Sequence, residues 1–328
     1  MGDGPILITG AGGFAGSHLL DLLSRSATAD VIAWHRPGSA FAPRRGVRTA
    51  AVDILDAAQV REQITLMRPT LVYHCAGAAH VARSWNQAEP TFAVNVRGTH
   101  HLFEALRLAG IGARVVIPSS AMVYRPADKP LTEDHALVPQ SPYGLSKLAQ
   151  ELLACRAAAD GIDTLIARAF NHIGPRQDPS FAAASFAQQI ASIETGERSP
   201  ELVVGNLDAR RDLTDVRDMV RAYTLIAERG RTTRPYNVCS GRAISIRELL
   251  DTLLARARVA IAVRVDPQRY RPNDLPLLIG DPARVREEIG WAPEIPLDRT
   301  IDDLLDYWRG VQARRGVGRT HGSAPTRA

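Results

Sequence analysis

The chain has 328 residues, 45% of them hydrophobic and 23% charged, the proportions of a soluble protein able to bury a sizeable core. Its formal charge of +5 is local: residues 311–328 hold Arg314, Arg315, Arg319 and Arg327 with no acid, and without them the charge falls to +1, so the body gives no nucleic-acid signal. No apolar run reaches membrane-spanning length, the first strand leaves no room for a signal peptide, and Cys75, Cys155 and Cys239 have neither metal nor redox spacing, so a cytoplasmic protein without membrane or metal is expected.

The first predicted strand, Pro5-Ile-Leu-Ile8, leads into Thr9-Gly-Ala-Gly-Gly-Phe-Ala-Gly16 and an amphipathic helix beginning Ser17-His-Leu-Leu. Gly10, Gly13 and Gly16 recur every three residues. They suit a tight turn, a close backbone approach to a pyrophosphate, and close packing of helix on strand. The helix would then aim its free N–H groups and positive dipole end at the phosphates, with Phe14 at its start. A dinucleotide site is expected here.

Further apolar strands are predicted at residues 31–34, 71–74, 114–117 and 163–167, separated by helical patterns such as 94–109. That alternation predicts an α/β fold: a Rossmann-type, doubly wound parallel sheet whose ligands bind beyond the carboxyl ends of the strands. Ser119 and Ser120 fall at one such end. A serine there can hydrogen-bond a reacting oxygen, or both can merely end the strand. Ser141-Pro-Tyr-Gly-Leu-Ser-Lys147 reads as a helix start with Ser141 as N-cap and Pro142 in the first turn. Tyr143 and Lys147 then share a helical face, and the ammonium is expected to draw the phenol down toward neutrality. Alone, the pair is an ordinary surface feature.

Past residue 170 proline and glycine become frequent and short strands mix with helices. The expected organisation is a dinucleotide domain over 1–170, with segments around 212–240 returning to it. A smaller C-terminal substrate-binding lobe over 171–310 and a disordered basic tail over 311–328 follow.

Taken together, the glycine motif, Ser-Ser-Ala-x-Val-Tyr124 and Tyr143-x-x-x-Lys147 resemble the extended short-chain dehydrogenase/reductases that act on nucleotide sugars. The resemblance spans residues 5–310. It implies Ser120, Tyr143 and Lys147 as a catalytic triad and cofactor contact by Asp53 and Ile54. It also implies that the Cys75-Ala76-Gly77 segment passes close to the cofactor.

NAD-selecting sites usually carry an acid at the end of the second strand; here Trp34-His-Arg-Pro37 has none, and Arg36 can instead pair with a 2′-phosphate. NADP(H) is therefore the expected cofactor. Asn171-His-Ile-Gly-Pro-Arg-Gln177, the run from Val204 to Asp215, and Arg271-Pro-Asn-Asp-Leu-Pro276 look like the branch of GDP-mannose 4,6-dehydratases and GDP-6-deoxy-mannose reductases. By that resemblance Asn171, Arg211, Arg271 and Asp274 would meet a GDP-sugar. The alternative for Arg211 is an ion pair with Asp212 or Asp215.

Dehydratases of this branch place a glutamate two residues after the catalytic Ser/Thr; this chain has Met122, and a thioether cannot accept a proton at neutral pH. His80 and Glu133 are the candidates that could replace it. The expected reaction is reduction of the C4 ketone of GDP-4-keto-6-deoxy-D-mannose by NADPH, to GDP-D-rhamnose or GDP-6-deoxy-D-talose. The alternatives are a 4-epimerase holding NAD, a GDP-mannose 4,6-dehydratase, or a non-catalytic nucleotide sensor. A homodimer is expected by resemblance, pairing through the helices at 94–109 and 142–159.

Overall fold

The computed structural model describes residues 4–25, 30–270 and 275–320. Its first half runs β1 (Ile6–Thr9), α1 (Phe14–Leu23), β2 (Val31–His35), β3 (Arg48–Ala51), α2 (Ala57–Met67), β4 (Leu71–His74), α3 (Val81–Asn86), α4 (Ala88–Phe92), α5 (Gly98–Leu108), β5 (Arg114–Ser120), α6 (Pro142–Ala159) and β6 (Asp163–Ala169). The second half runs β7 (Asn171–Ile173), α7 (Ala182–Glu194), β8 (Glu201–Val204), β9 (Arg210–Asp215), α8 (Val216–Arg229), β10 (Pro235–Val238), β11 (Ala243–Ser245), α9 (Ile246–Leu254), β12 (Ala262–Val265), β13 (Leu277–Leu278) and α10 (Leu297–Thr320).

Seven strands form one sheet in the order β10-β6-β5-β4-β1-β2-β3, every pair parallel. The apolar runs are continuous because both faces are covered. Ile6, Ile8, Val31, Ala33 and Tyr73 pack toward Leu19, Leu20, Met219 and Tyr223 of α1 and α8. Their neighbours Leu7, Ile32, Val72 and Val115 pack toward Ile64, Leu102 and Leu106 of α2 and α5. This is the period-two alternation of a strand with a hydrophobic layer on each side. The order reverses between β1 and β4, so the carboxyl ends bearing Thr9 and His74 open a crevice at the topological switch point.

Outside that sheet, β9 pairs with β7 and β13 in parallel and with β11 in antiparallel, and β8 pairs with β12. Their core is formed with Phe186 and Ile190 of α7, Leu249 and Leu253 of α9, and Leu304 and Trp308 of α10.

Two local readings are corrected. The helix expected over 94–109 starts as one π-turn at Ala93–Arg97 before α5. Residues 311–320, expected in the disordered tail, continue α10, because Val311 packs on the lobe core and Gln312 is buried. Arg327 and the rest of 321–328 lie outside the described residues.

Candidate active site

Gly10 has φ +65°, and a Cβ there would stand 2.6 Å from the Ala76 nitrogen; a Cβ on Gly16 would lie 2.3 Å from the Gly10 carbonyl oxygen. The turn therefore needs glycine for its conformation at the first position and for helix packing at the third. Gly13 is the N-cap of α1, with no side-chain cap bond and no acid in the first turn. Those free N–H groups fit a phosphate, so the residues present suit a dinucleotide. The Phe14 ring is stacked on His172, which joins the turn to the start of the lobe.

At the end of β2 the His35 ring stacks on Phe41, and no acid follows. Arg36 is exposed and has no ion-pair partner among the described residues. Arg44 and Arg176 are both held by the Asp21 carboxylate at 2.7 Å. They flank a cleft of about 260 Å³ over Gly12, Gly13 and Ser17. The Asp53 carboxylate accepts from the Leu55 N–H at 2.9 Å beyond β3, and Ile54 beside it is buried. Cys75 and Ala76 lie against the glycine turn, with the Ala76 N–H donating to Thr9 Oγ1 at 3.1 Å, and Gly77 beside them faces Asn95.

The helix that carries Tyr143 and Lys147 begins as its sequence implies. Ser141 Oγ accepts from the Gly144 N–H at 3.1 Å, and Pro142 occupies the first turn. Tyr143 and Lys147 are both buried. The pleat of β5 decides between the two serines. Ser120 Oγ faces the Tyr143 hydroxyl, closely enough to lower its pKa, and accepts from the Met122 N–H at 3.2 Å. Ser119, on the opposite face, donates to Glu151, whose carboxylate is held by Arg168 at 2.8 and 3.0 Å.

The ionisation expected for Tyr143 is corrected. Burial raises its pKa, the facing Ser120 hydroxyl lowers it in part, and the result stands above the ordinary value. Lys147 does not act on the phenol here: its Nζ donates to Gln150 Oε1 at 2.6 Å. Burial brings Lys147 down to about 8, with the Glu151 carboxylate opposing part of that fall.

The Met122 backbone packs tightly on the start of α6, since a Cβ on Gly144 would stand 2.3 Å from its carbonyl oxygen, and its side chain is partly buried against the cluster of Val123, Tyr124 and Leu131. Neither residue considered as a replacement base is placed like one. Glu133 is buried, accepts from the Asn237 N–H at 2.8 Å and lies 3.6 Å from Arg284. His80 caps α3, its Nδ1 accepting from the Arg83 N–H at 3.2 Å, with its ring against Phe181.

On the lobe side, Asn171 opens β7 and is exposed. Arg211 on β9 donates to the carbonyls of Arg210 and Leu275 at 2.8 and 2.7 Å. Its two proposed acid partners are engaged elsewhere: Asp212 with Ser240 and Gly241, and Asp215 with Arg217 and Thr300. Arg271 and Asp274 lie outside the described residues.

Sequence reading missed Asn95, Thr99, His74 and Gln150. Buried Asn95 sits in the π-turn, accepts from the Ala78 N–H at 2.7 Å and donates to Ser146 Oγ at 2.9 Å, joining the β4 loop to α6. Its signal was an amide within an otherwise apolar helical pattern, and π-turns recur at functional sites.

Comparison with known proteins identifies the family. The GDP-mannose 4,6 dehydratase family profile matches residues 7–304. A GDP-6-deoxy-D-mannose reductase of Pseudomonas aeruginosa is 34% identical over 308 residues, covering 92% of this chain and 96% of its own. The structure of RMD from Pseudomonas aeruginosa complexed with NADPH superposes with TM-score 0.82 at 32% identity, over 94% of this chain and 99% of its own. A UDP-glucose 4-epimerase of Thermotoga maritima with UDP-glucose gives TM-score 0.84 at 27% identity, over 94% and 99%. The fold alone thus does not separate reductase from epimerase.

Proposed function

The chain belongs to the GDP-mannose 4,6-dehydratase family of extended short-chain dehydrogenase/reductases, and from that premise we propose that it is an NADPH-dependent reductase of GDP-4-keto-6-deoxy-D-mannose. The product is GDP-D-rhamnose, or GDP-6-deoxy-D-talose if the sugar presents its other face. The observation that carries this reading is that Ser120 faces Tyr143, with Lys147 buried one helical turn away, while Met122 stands where an elimination needs a carboxylate.

NADPH, when bound, supplies the hydride to C4. The chain's residues handle the oxygen. Ser120 Oγ donates a hydrogen bond to the C4 carbonyl oxygen and polarises it. The Tyr143 hydroxyl gives its proton to that oxygen as it becomes an alkoxide, so one hydride and one proton turn the ketone into an alcohol. Burial keeps the proton on Tyr143 at neutral pH, which suits a group whose step is to give it. The Lys147 ammonium then stabilises the phenolate left behind.

The dinucleotide is assigned to the unit over 1–170, across Gly10, Gly13, Gly16 and the Cys75–Gly77 segment, with Arg36 meeting the 2′-phosphate. The GDP-sugar is assigned to the lobe at Asn171 and Arg211, and by resemblance also to Arg271 and Asp274. We also assign the chain to the cytoplasm. No helix among the described residues is long and apolar enough to cross a membrane. A homodimer would pair α5 and α6, on which Leu108, Leu145 and Leu152 are exposed, while Leu102, Phe103 and Leu106 are spent in the chain's own core.

The test is the loss of nicotinamide absorbance with GDP-4-keto-6-deoxy-D-mannose generated in the cuvette, followed by NMR of the product. Rapid loss supports the reductase. NAD co-purifying one per chain, with no net NADPH oxidation, would replace it with the epimerase, which uses the same triad.

A further inference from the structure

Of this chain's forty Lys and Arg residues only two are lysines, Lys129 and Lys147. A protein that uses arginine almost everywhere keeps a lysine at 147, where a compact ammonium with rotatable donors and adjustable protonation is an advantage. What surrounds that ammonium is unusual. Its Nζ donates to Gln150 Oε1 at 2.6 Å, and Gln150 is wholly buried.

The Gln150 amide is itself held. Its Nε2 donates to Thr99 Oγ1 at 2.7 Å. Thr99 gives its single proton to the Asn95 carbonyl at 2.6 Å, so both its lone pairs accept, one from Gln150 and one from His74 Nε2 at 2.9 Å. His74 is therefore the neutral Nε2–H tautomer, and its Nδ1 accepts from Thr9 Oγ1 at 2.9 Å. Thr9 in turn accepts the Ala76 N–H.

Each donor meets one acceptor along this chain of bonds, and the chain admits one orientation of the amide. Turning Gln150 over would set its NH₂ against the ammonium and its oxygen against a hydroxyl whose proton is already given away. Burial agrees with the tautomer, holding His74 at about 3 with a further push from Lys147.

The other groups facing Lys147 do not compete. Glu151 on its own helix is taken by Arg168 and Ser119, and the Cys75 thiol from the β4 loop is pushed up to about 12 by burial, so it stays neutral. The Tyr143 hydroxyl faces Ser120.

We propose that Gln150, locked in one orientation by Thr99 and the neutral His74 imidazole, is a positioning residue for Lys147, presenting the carbonyl that holds the ammonium in the site. The inference rests on the part given to Lys147 in the proposed reductase. It adds that the carboxyl ends of β1 and β4, where the cofactor is assigned, are wired to the lysine through four side chains, Thr9, His74, Thr99 and Gln150.

The two-lysine composition makes a direct test possible. Protein grown with lysine isotope-labelled at Cε gives two titrating NMR signals, which Lys129→Arg assigns. Gln150→Met is expected to lower the Lys147 midpoint by about one pH unit, since a charge-assisted acceptor is lost. Gln150→Glu is expected to raise it by about as much, and Thr99→Val to lower it less than Gln150→Met does. Lys129 stays where it was. Turnover of Gln150→Met falls about tenfold or more with KM little changed.

Opposite shifts from the two Gln150 variants are what a merely structural role would not produce. If the Lys147 midpoint stays put in folded Gln150→Met and Gln150→Glu, or moves the same way in both, the proposal is overturned. Should Gln150→Met not fold, Gln150→Glu and Thr99→Val decide it by the same signal. The titration needs no substrate, so a wild-type protein inactive on the keto sugar would count against the proposed function and leave this result standing.

Discussion

Arg168 of β6 holds both carboxylate oxygens of Glu151 on α6, at 2.8 and 3.0 Å, with both side chains buried. It also donates to the Tyr124 hydroxyl at 2.9 Å and lies over that ring. The pair pins the back of α6 to the sheet and engages Ser119 on the face away from Tyr143, leaving Ser120 to face Tyr143. Such pairs are costly to break singly, because the remaining charge is left buried without a partner. Arg168→Met is therefore expected to destabilise the fold by about 3–5 kcal/mol, read as a lower denaturant midpoint. The double variant Arg168→Met/Glu151→Leu should recover much of that loss. A single variant as stable as wild type would refute this account of α6.

Tyr143→Phe removes the proton donor and little else, since the hydroxyl contacts Ser120 at the site. Turnover should fall by at least about 10³-fold while NADPH still quenches or enhances fluorescence at near wild-type concentrations. Ser120→Ala should cost about 10²-fold, the order for one hydrogen-bond donor to a developing oxyanion. Near-normal turnover in Tyr143→Phe would end the proposed mechanism.

Cofactor choice is tested at Arg36. Arg36→Asp places an acid where NAD-selective sites carry one and removes the cation offered to the 2′-phosphate. The ratio of kcat/KM for NADPH over NADH should drop about 10- to 100-fold. Arg44→Ala is the control, because that guanidinium is already paired with Asp21. An unchanged ratio in Arg36→Asp would move the phosphate site elsewhere.

Acid sensitivity should come from two histidines held neutral. Burial lowers His18 to about 4, where its Nε2 donates to the Pro175 carbonyl at 2.8 Å. Burial lowers His74 to about 3. Both folded values lie below the unfolded one, so the unfolded chain takes up protons first as pH falls. Stability is complete above about pH 6.5 and is lost on acidification toward 4 for His18 and 3 for His74, at roughly 1.4 kcal/mol per pH unit for each. His18→Gln should flatten the decline measured between pH 6.5 and 4.5. An equally steep decline in that variant would assign it to the carboxylates instead.

Much of the site was readable because its parts are local. Gly10 to Gly16, Ser141-Pro142 and the four-residue spacing of Tyr143 and Lys147 are each short patterns whose geometry follows from turn and helix periods. The apolar runs marked the strands for the same reason. Leu7 and Ile8 point to opposite faces in any strand, and both faces here are covered.

Partner choice was not readable. Tyr143 was expected to be drawn down by Lys147, which lies one turn away; burial wins, and the ammonium turns to Gln150 instead. Thr9 meets His74 across 65 residues and Gln150 meets Thr99 across 51. No period in the chain carries such information. The extension of α10 to Thr320 belongs to the same class, since burial of Gln312 by the lobe overrides a composition that reads as a tail.

By itself the sequence determined the doubly wound sheet, the glycine turn, the candidate triad and the absence of a carboxylate at Met122, because backbone period and residue chemistry act over a few neighbours. Only the tertiary structure decided which serine faces the tyrosine, which acceptor holds the lysine, and which form of His74 lies behind them. Those choices depend on which strands lie side by side and on how completely water is excluded. Once water is gone, every buried donor must find an acceptor, and the arrangement of the whole chain settles which one it is.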